Sequence, residues 1–481
     1  MKEENSQRLK DEYERLVNGL ELPAHISEQV TAPIRNIENV FEKVLETVPG
    51  NLRKAEHFIQ YLRRLLKYLK DNLRDNHISN VKWVKEFTFK LMKTIQVDLR
   101  TLQFSSSRLS SLLYTLQMRE ISQFSSISIL CDFASLIGTY DKGFCLVLEK
   151  GDGLTDSSIR FSCLDASIAM KPVLKQFRSV VITSGTLSPL EIFPKILNFI
   201  PVVSARFQIS LHRPCLCPLV VTKGGDQVAI TSKYEARKDP AVVRNYGNLL
   251  VDMSRTVPDG MVCFFPSYHY MESIVTLWNE MGMLAQLLEH KLLFIETPHP
   301  TESTLALDNY RKACSSGRGA VLFSVARGKI SEGIDFDHHY GRCVIVFGIP
   351  YVYTENRVLK ERLKYLRDQY GIREADFLTF DAMRTTAQCV GRIIRGKSDY
   401  GVMVFADKRY NRVDKRSKLP QWISQYLGSS QLNLSTDMAV GVAANFFREM
   451  AQPTSRQDEL GKSLWTYQHI LQYQASQNKI N

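Results

Sequence analysis

The stretch Gln388-Cys-Val-Gly-Arg-Ile-Ile-Arg395 sets an amide and two guanidiniums within eight residues. At about 100° per helical residue, Gln388, Arg392 and Arg395 fall within about 60° of one another on one helix face. Arginine keeps its charge at any ordinary pH, and its planar fork matches phosphate oxygens. Such a face suits a site where charge builds on a transferring phosphoryl group. A helix stopped by Gly396 explains the glycine but not the Gln/Arg/Arg face.

The same stretch contains a competing pattern. Gly391-Arg-Ile-Ile-Arg-Gly-Lys-Ser398 fits the phosphate-loop spacing G-x-x-x-x-G-K-[ST]. A phosphate loop follows a strand and opens a helix, so that backbone N–H groups point at the phosphates. Here an amphipathic stretch from Phe377 to Ile394 comes first and the apolar run Val402 to Phe405 follows. The order is reversed, and the match is read as false.

Further chemistry is expected where apolar strands end, the usual place for ligands in open α/β sheets. The run Val180–Ile182 leads into Ser184-Gly-Thr-Leu-Ser-Pro189, and Met261–Phe265 into Pro266-Ser-Tyr268. Ala320–Val325 leads into Ala326-Arg-Gly-Lys-Ile-Ser-Glu-Gly-Ile-Asp-Phe336, where glycines permit tight loops beside Arg327, Lys329 and Asp335. Each signal alone is weak; in this order, followed by the Gln/Arg/Arg stretch, they are strong.

The elements that must position these residues fall into two halves. Residues 1 to about 140 read as successive helices, near Ile34–Val48, Leu52–Leu73, Lys82–Ile95 and Ser107–Met118. The second carries Leu or other apolar residues at spacings of three and four, and Arg53, Lys54, Arg63, Arg64, Lys67, Lys70 and Arg74 opposite. That basic face is a solvated surface or a nucleic-acid or partner surface. Short β-rich runs follow at Phe144–Leu148 and Ile159–Ser162. Apolar strands then alternate with helices such as Tyr268–Met281 and Glu355–Tyr370, with further strands at Cys343–Phe347 and Gly401–Phe405. Fully apolar strands of this kind imply an α/β fold with a parallel sheet covered on both faces. The expected divisions are a helical domain over 1–163, an α/β domain over 164–452, and a tail over 453–481.

With 481 residues, 44% hydrophobic and 23% charged, the chain has the composition of a globular protein of two or three domains. Its net charge of +12 favours a polyanion partner. The nine cysteines are scattered, and the Cys215/Cys217 pair without a second pair is a poor metal site, so buried free thiols are expected. His338-His339 lacks a surrounding Cys/His cluster and reads as packing. No metal ligand set is assigned. Neither a membrane-length apolar run nor a signal peptide is visible, and a soluble intracellular protein is expected. The basic cluster Lys408 to Lys418 reads as a nuclear import signal or an exposed basic loop.

Ser184-Gly-Thr186 resembles motif III of superfamily 2 helicases, Val262 to Tyr268 motif IV, Val325 to Phe336 motif V, and Gln388 to Arg395 motif VI. The surrounding wording, including Ser188–Leu197 and Pro350–Arg357, is similar to the iron–sulfur DNA helicase family that serves the transcription and repair factor TFIIH. The likeness runs from the first residues to about Pro453. It implies a helical Arch-like domain followed by a second RecA-like domain, and an ATP-driven 5′-to-3′ helicase of nucleotide excision repair and transcription initiation in the nucleus. By resemblance, Arg392 and Arg395 are arginine fingers and Gln388 senses the γ-phosphate. Gly333 and Asp335 link the nucleotide cleft to the DNA track, and Ser184, Gly185 and Thr186 help couple the two sites. Single-stranded DNA is expected to meet Arg327, Lys329 and the ring of Tyr268.

The family's first RecA-like domain supplies a phosphate loop, a D-E-A-H box and four cysteines for an iron–sulfur cluster, and none is recognised here. The chain therefore resembles the C-terminal part of such a helicase, expected to be inactive alone and to meet ATP and magnesium only together with the first domain. The alternative is a non-catalytic scaffold or single-stranded-DNA-binding module of TFIIH. In either case the resemblance implies TFIIH partners, a regulatory subunit on the C-terminal half and the kinase-tethering subunit on the Arch-like half.

Overall fold

The computed structural model describes residues 51–75, 80–115, 125–149, 158–207, 214–396, 398–453 and 467–477. The helix expected near Ile34–Val48, the residue Lys397 and most of the tail lie outside them. The described chain divides into two compact units, the first reaching Gln176 and regaining Thr354–Gly371, the second formed by the rest.

The first unit is mostly helical. The helix Asn51–Asp75 buries Phe58, Leu62, Leu65 and Leu69 against Phe87, Leu91, Leu102, Ile127 and Ala134 of neighbouring helices, and leaves Arg64 and Lys67 exposed. The expected start at Lys82 moves: Asn80–Trp83 forms a strand, β1, and the helix runs Val84–Ile95. Strands β2 (Phe144–Glu149) and β3 (Ser158–Cys163) complete a three-stranded antiparallel sheet in the order β1-β2-β3.

The expected boundary at residue 163 is not where the units part. Asp165 is buried and accepts hydrogen bonds from Ser167 N (2.9 Å), Tyr370 OH (2.8 Å) and Tyr365 OH (3.1 Å). Burial works against its charge, but these bonds outweigh it and hold its pKa below the ordinary value. The helix Arg357–Tyr370, which also packs Val358 and Tyr365 on Cys145 and Val147 of β2, is thereby captured by the first unit.

The second unit is built on a seven-stranded parallel sheet. Its strands are β4 (Leu216–Lys223), β5 (Gly260–Phe265), β6 (Leu292–Ile295), β7 (Ala320–Val325), β8 (Cys343–Phe347), β9 (Gly401–Ala406) and β10 (Leu434–Ser435), in the order β10-β4-β9-β8-β5-β7-β6. Alternate residues of one strand enter different cores. Met261, Cys263 and Phe265 of β5 join one cluster with the helices Pro240–Thr256, Tyr268–Glu280 and Thr436–Met450. Val262 and Phe264 join another with Pro300–Ser315 and Glu374–Val390. Two covered faces explain why these strands read as continuous apolar runs.

Val180–Ile182 forms no strand. Among the described residues nothing pairs with its backbone, and Val181 is 86% exposed. An apolar triplet without a ladder partner has no reason to hold a strand conformation. The nine cysteines are free thiols, with Cys215 and Cys217 in different core clusters. No described helix is long and apolar enough to cross a membrane.

Candidate nucleotide- and nucleic-acid-facing site

The carboxyl ends of β5, β6 and β7 bring the site together. Phe265 passes through Pro266 to Ser267, whose side chain caps the next helix by accepting from Tyr270 N. Tyr268 thus stands at the first position of that helix with its ring partly exposed. Val325 leads into a tight turn, Gly328 N donating to Val325 O at 2.8 Å, then into the short helix Lys329–Gly333.

One residue joins these two loops, and it was not anticipated. Glu296, just after β6, is 1% exposed. Its Oε1 accepts from Tyr268 OH (2.9 Å) and Ile330 N (3.3 Å), its Oε2 from Ser324 Oγ (2.6 Å) and Val325 N (3.0 Å). Burial, then the bond to Glu296, pushes the Tyr268 phenol above its ordinary value. The carboxylate also explains Gly328: a Cβ there would lie 2.5 Å from Glu296 Oε1. A lone glutamate after four apolar residues carries no sequence signal; its role comes from the fold.

The Gln/Arg/Arg stretch does not form one helix face. The helix Glu374–Val390 ends before it, Gly391–Ile393 is a 3₁₀ turn, and Ile394 is extended. Two contacts pull the chain out of helix. Phe336 N donates to Arg392 O at 3.0 Å, and Asp399 accepts from the backbone N–H groups of Arg395 (2.9 Å) and Gly396 (2.6 Å). The arginines nonetheless converge. Arg392 Nη1 lies 3.3 Å from Asp335 Oδ1, and Arg395 Nη2 donates to the same oxygen. Gln388 is exposed on the last turn of the helix.

A strand, not a helix, follows Gly396 in the chain, and the amides of Arg395 and Gly396 are taken. Asp399, 1% exposed in its side chain, fills the place an anion would need, with His338 N as a third donor at 3.0 Å. Burial opposes its charge, but these amides hold its pKa below the usual carboxylate value. The rejected phosphate loop has no free amides at Arg395 or Gly396 to offer.

Other expected residues are placed as follows. Lys329 is exposed. Arg327 is not presented the same way: its Nη2 pairs with Asp381 at 2.7 Å and donates to Pro350 O at 3.0 Å, because the buried Asp381 needs cations and takes both Arg327 and Arg384. Gly333 is exposed. Ser184 and Thr186 touch through their hydroxyls at 3.2 Å, and Trp422 Nε1 donates to Gly185 O at 2.6 Å. Asp407, which follows β9 and is not among the expected residues, is fully buried and engaged by Arg409, Ser232 N and Thr231. The basic cluster is only partly exposed: Lys408 and Arg412 face solvent, while Arg409 holds Asp407 and Lys415 is buried against Thr379. His338 turns toward Asp399 and His339 toward Ser315.

Residues 250–426 match the family Helicase C-terminal domain, and residues 1–143 the Helical and beta-bridge domain. Over 98% of the chain, identity is 56% with the General transcription and DNA repair factor IIH helicase subunit XPD of Dictyostelium discoideum. It is 53% with the subunit of the same name in Schizosaccharomyces pombe, and 51% over 97% of the chain with that of Arabidopsis thaliana. The chain is a relative of the XPD helicase subunits. It spans 61% of the Dictyostelium protein and 62% of the other two. The stretch matched to the Helicase C-terminal domain, residues 250–426, contains β5 through β9, Glu296, Asp335 and both arginines.

Proposed function

We propose that this chain supplies the arginine-bearing half of an ATP-dependent 5′-to-3′ DNA helicase of XPD type, working in nucleotide excision repair and transcription initiation within TFIIH in the nucleus. The observation that carries the reading is the convergence of Arg392 and Arg395 on Asp335. Both guanidiniums lie beside the loop Val325–Phe336, where a phosphate charge would compete with a half-exposed carboxylate. Arg392 and Arg395 would face the γ-phosphate, with Gln388 near it. Gly333 and Asp335 would connect that cleft to a single strand over Lys329 and Tyr268. Ser184, Gly185 and Thr186 would couple the two.

The chain alone is proposed to be inactive. ATP and magnesium need a phosphate cradle and a metal carboxylate, and the one phosphate-loop-like turn is filled by Asp399. Charge stabilisation by arginines is only one term of phosphoryl transfer; positioning is a separate requirement of comparable size. The cysteines do not fit an iron–sulfur cluster either. They are dispersed, and burial pushes the thiols of Cys131, Cys217 and Cys389 up to about 12. The test is ATP hydrolysis by the purified chain with single-stranded DNA. No turnover is expected; turnover abolished by Lys397→Ala would overturn the reading.

A second reading, a non-catalytic scaffold or strand-binding module of TFIIH, is favoured by the match of residues 1–143 to a helical domain without nucleotide-binding glycines. The kinase-tethering subunit would meet the helical unit and the regulatory subunit the α/β unit. Co-purification with TFIIH subunits tests it, and retention of none would eliminate it.

A further inference from the structure

We infer that Glu296 is a positioning residue that locks the Tyr268 ring and the loop 325–330 into one strand-binding surface. The inference rests on the nucleic-acid reading above and names the residue on which that surface depends. A buried carboxylate without a cation is costly unless hydrogen bonds satisfy it. Among the described residues Glu296 has no cationic partner within salt-bridge distance, yet each of its oxygens accepts two hydrogen bonds. Two of the four donors are backbone amides, Val325 N at the end of β7 and Ile330 N beside Lys329, and one is the Tyr268 hydroxyl at the start of the helix Tyr268–Glu280. The β5–β7 ladder and the bond from Ala326 N to Phe265 O (2.8 Å) join the strand ends. Glu296 ties the Tyr268 hydroxyl and Ile330 N to them, and Gly328 leaves the space the carboxylate occupies.

The geometry has a consequence for the ring. With its hydroxyl anchored inward at 2.9 Å, Tyr268 cannot rotate away from the loop, and its ring stays half-buried and oriented. A pre-oriented aromatic face loses little entropy when a base stacks on it. Severing the hydroxyl bond removes that anchor, leaving the ring only its packing against the core and its aromatic surface intact. Replacing the carboxylate by an amide puts an N–H₂ against at least one backbone N–H, so the loop must shift.

The experiment measures binding of an oligothymidine carrying one 2-aminopurine to the full chain, by anisotropy and by quenching of the 2-aminopurine. Glu296→Gln is expected to weaken binding about tenfold and to relieve the quenching, with unchanged far-ultraviolet circular dichroism. Tyr268→Phe, which cuts one bond and keeps the ring, is expected to relieve quenching in part; it serves as the decisive variant if Glu296→Gln does not fold. Wild-type affinity and quenching in the folded Glu296→Gln variant, or in Tyr268→Phe if only that one folds, would overturn this inference alone. Absence of binding by the unmutated chain would overturn the nucleic-acid reading and the inference with it.

Discussion

Asp335 holds two arginines on one oxygen: Arg392 Nη1 at 3.3 Å and Arg395 Nη2 beside it. The carboxylate and Arg395 are nearly half exposed, so water and salt screen the pair and it adds little to stability. Its place near the end of the loop Val325–Phe336, facing Arg392 and Arg395, gives it a different use. It keeps two guanidiniums together where an anion can displace it. Asp335→Asn is therefore expected to leave the melting temperature nearly unchanged and to tighten binding of inorganic tripolyphosphate severalfold. Arg392→Ala should remove that gain. Calorimetric titration at low salt checks both.

Gly328 and Gly333 lie five residues apart and should respond oppositely. An added methyl at Gly328 meets the buried Glu296 carboxylate, which its four donors hold in place. Gly328→Ala is expected to cost about 1–3 kcal/mol. At Gly333 nothing lies within 4 Å of the new Cβ and the backbone is not left-handed, so Gly333→Ala should change stability by about 0.5 kcal/mol or less. Urea unfolding of the two variants makes the comparison.

Asp399 should make this unit acid-sensitive. Its folded pKa lies below the unfolded value of about 3.9, so its stabilisation is fully present above that value. Stability from this group falls as pH drops through the folded pKa. Asp399→Asn retains an acceptor but loses the charge that three amides share, and is expected to cost about 1–3 kcal/mol at neutral pH. In the variant the fall between about pH 4 and the acid limit should be shallower. Unfolding measured against pH would show the slope unchanged if the carboxylate has no such role.

The central strands were legible because burial on both faces leaves unbroken apolar runs, as in Ala320–Val325 and Cys343–Phe347. Leu216–Lys223 was missed although it is an inner strand, since Pro218 inside it argues against a ladder position. Val180–Ile182 looked like a strand because periodicity reports apolarity and not the presence of a partner. The helix Arg357–Tyr370 was legible as a helix, but its membership of the first unit depends on tyrosines reaching Asp165, which local pattern cannot carry. The same limit applies to the site. Residue types around Arg392 were readable, while the end of its helix depends on Phe336 and Asp399, both long-range or turn contacts.

Arg327 and Lys329 separate positioning from phosphate contact. Arg327 lends its charge to the buried Asp381 and its Nη2 to Pro350 O, so Arg327→Ala should lower stability and leave the salt dependence of strand binding unchanged. Lys329 is exposed on the first turn after Gly328, free to meet a phosphate. Each phosphate neutralised on a single strand contributes about 0.7 to the slope of log affinity against log salt. Lys329→Ala is therefore expected to reduce the slope by about that amount without a change in melting temperature. Titrations of oligothymidine at several salt concentrations decide the matter; an equal loss of slope in Arg327→Ala would mean that its ion pair opens to the strand.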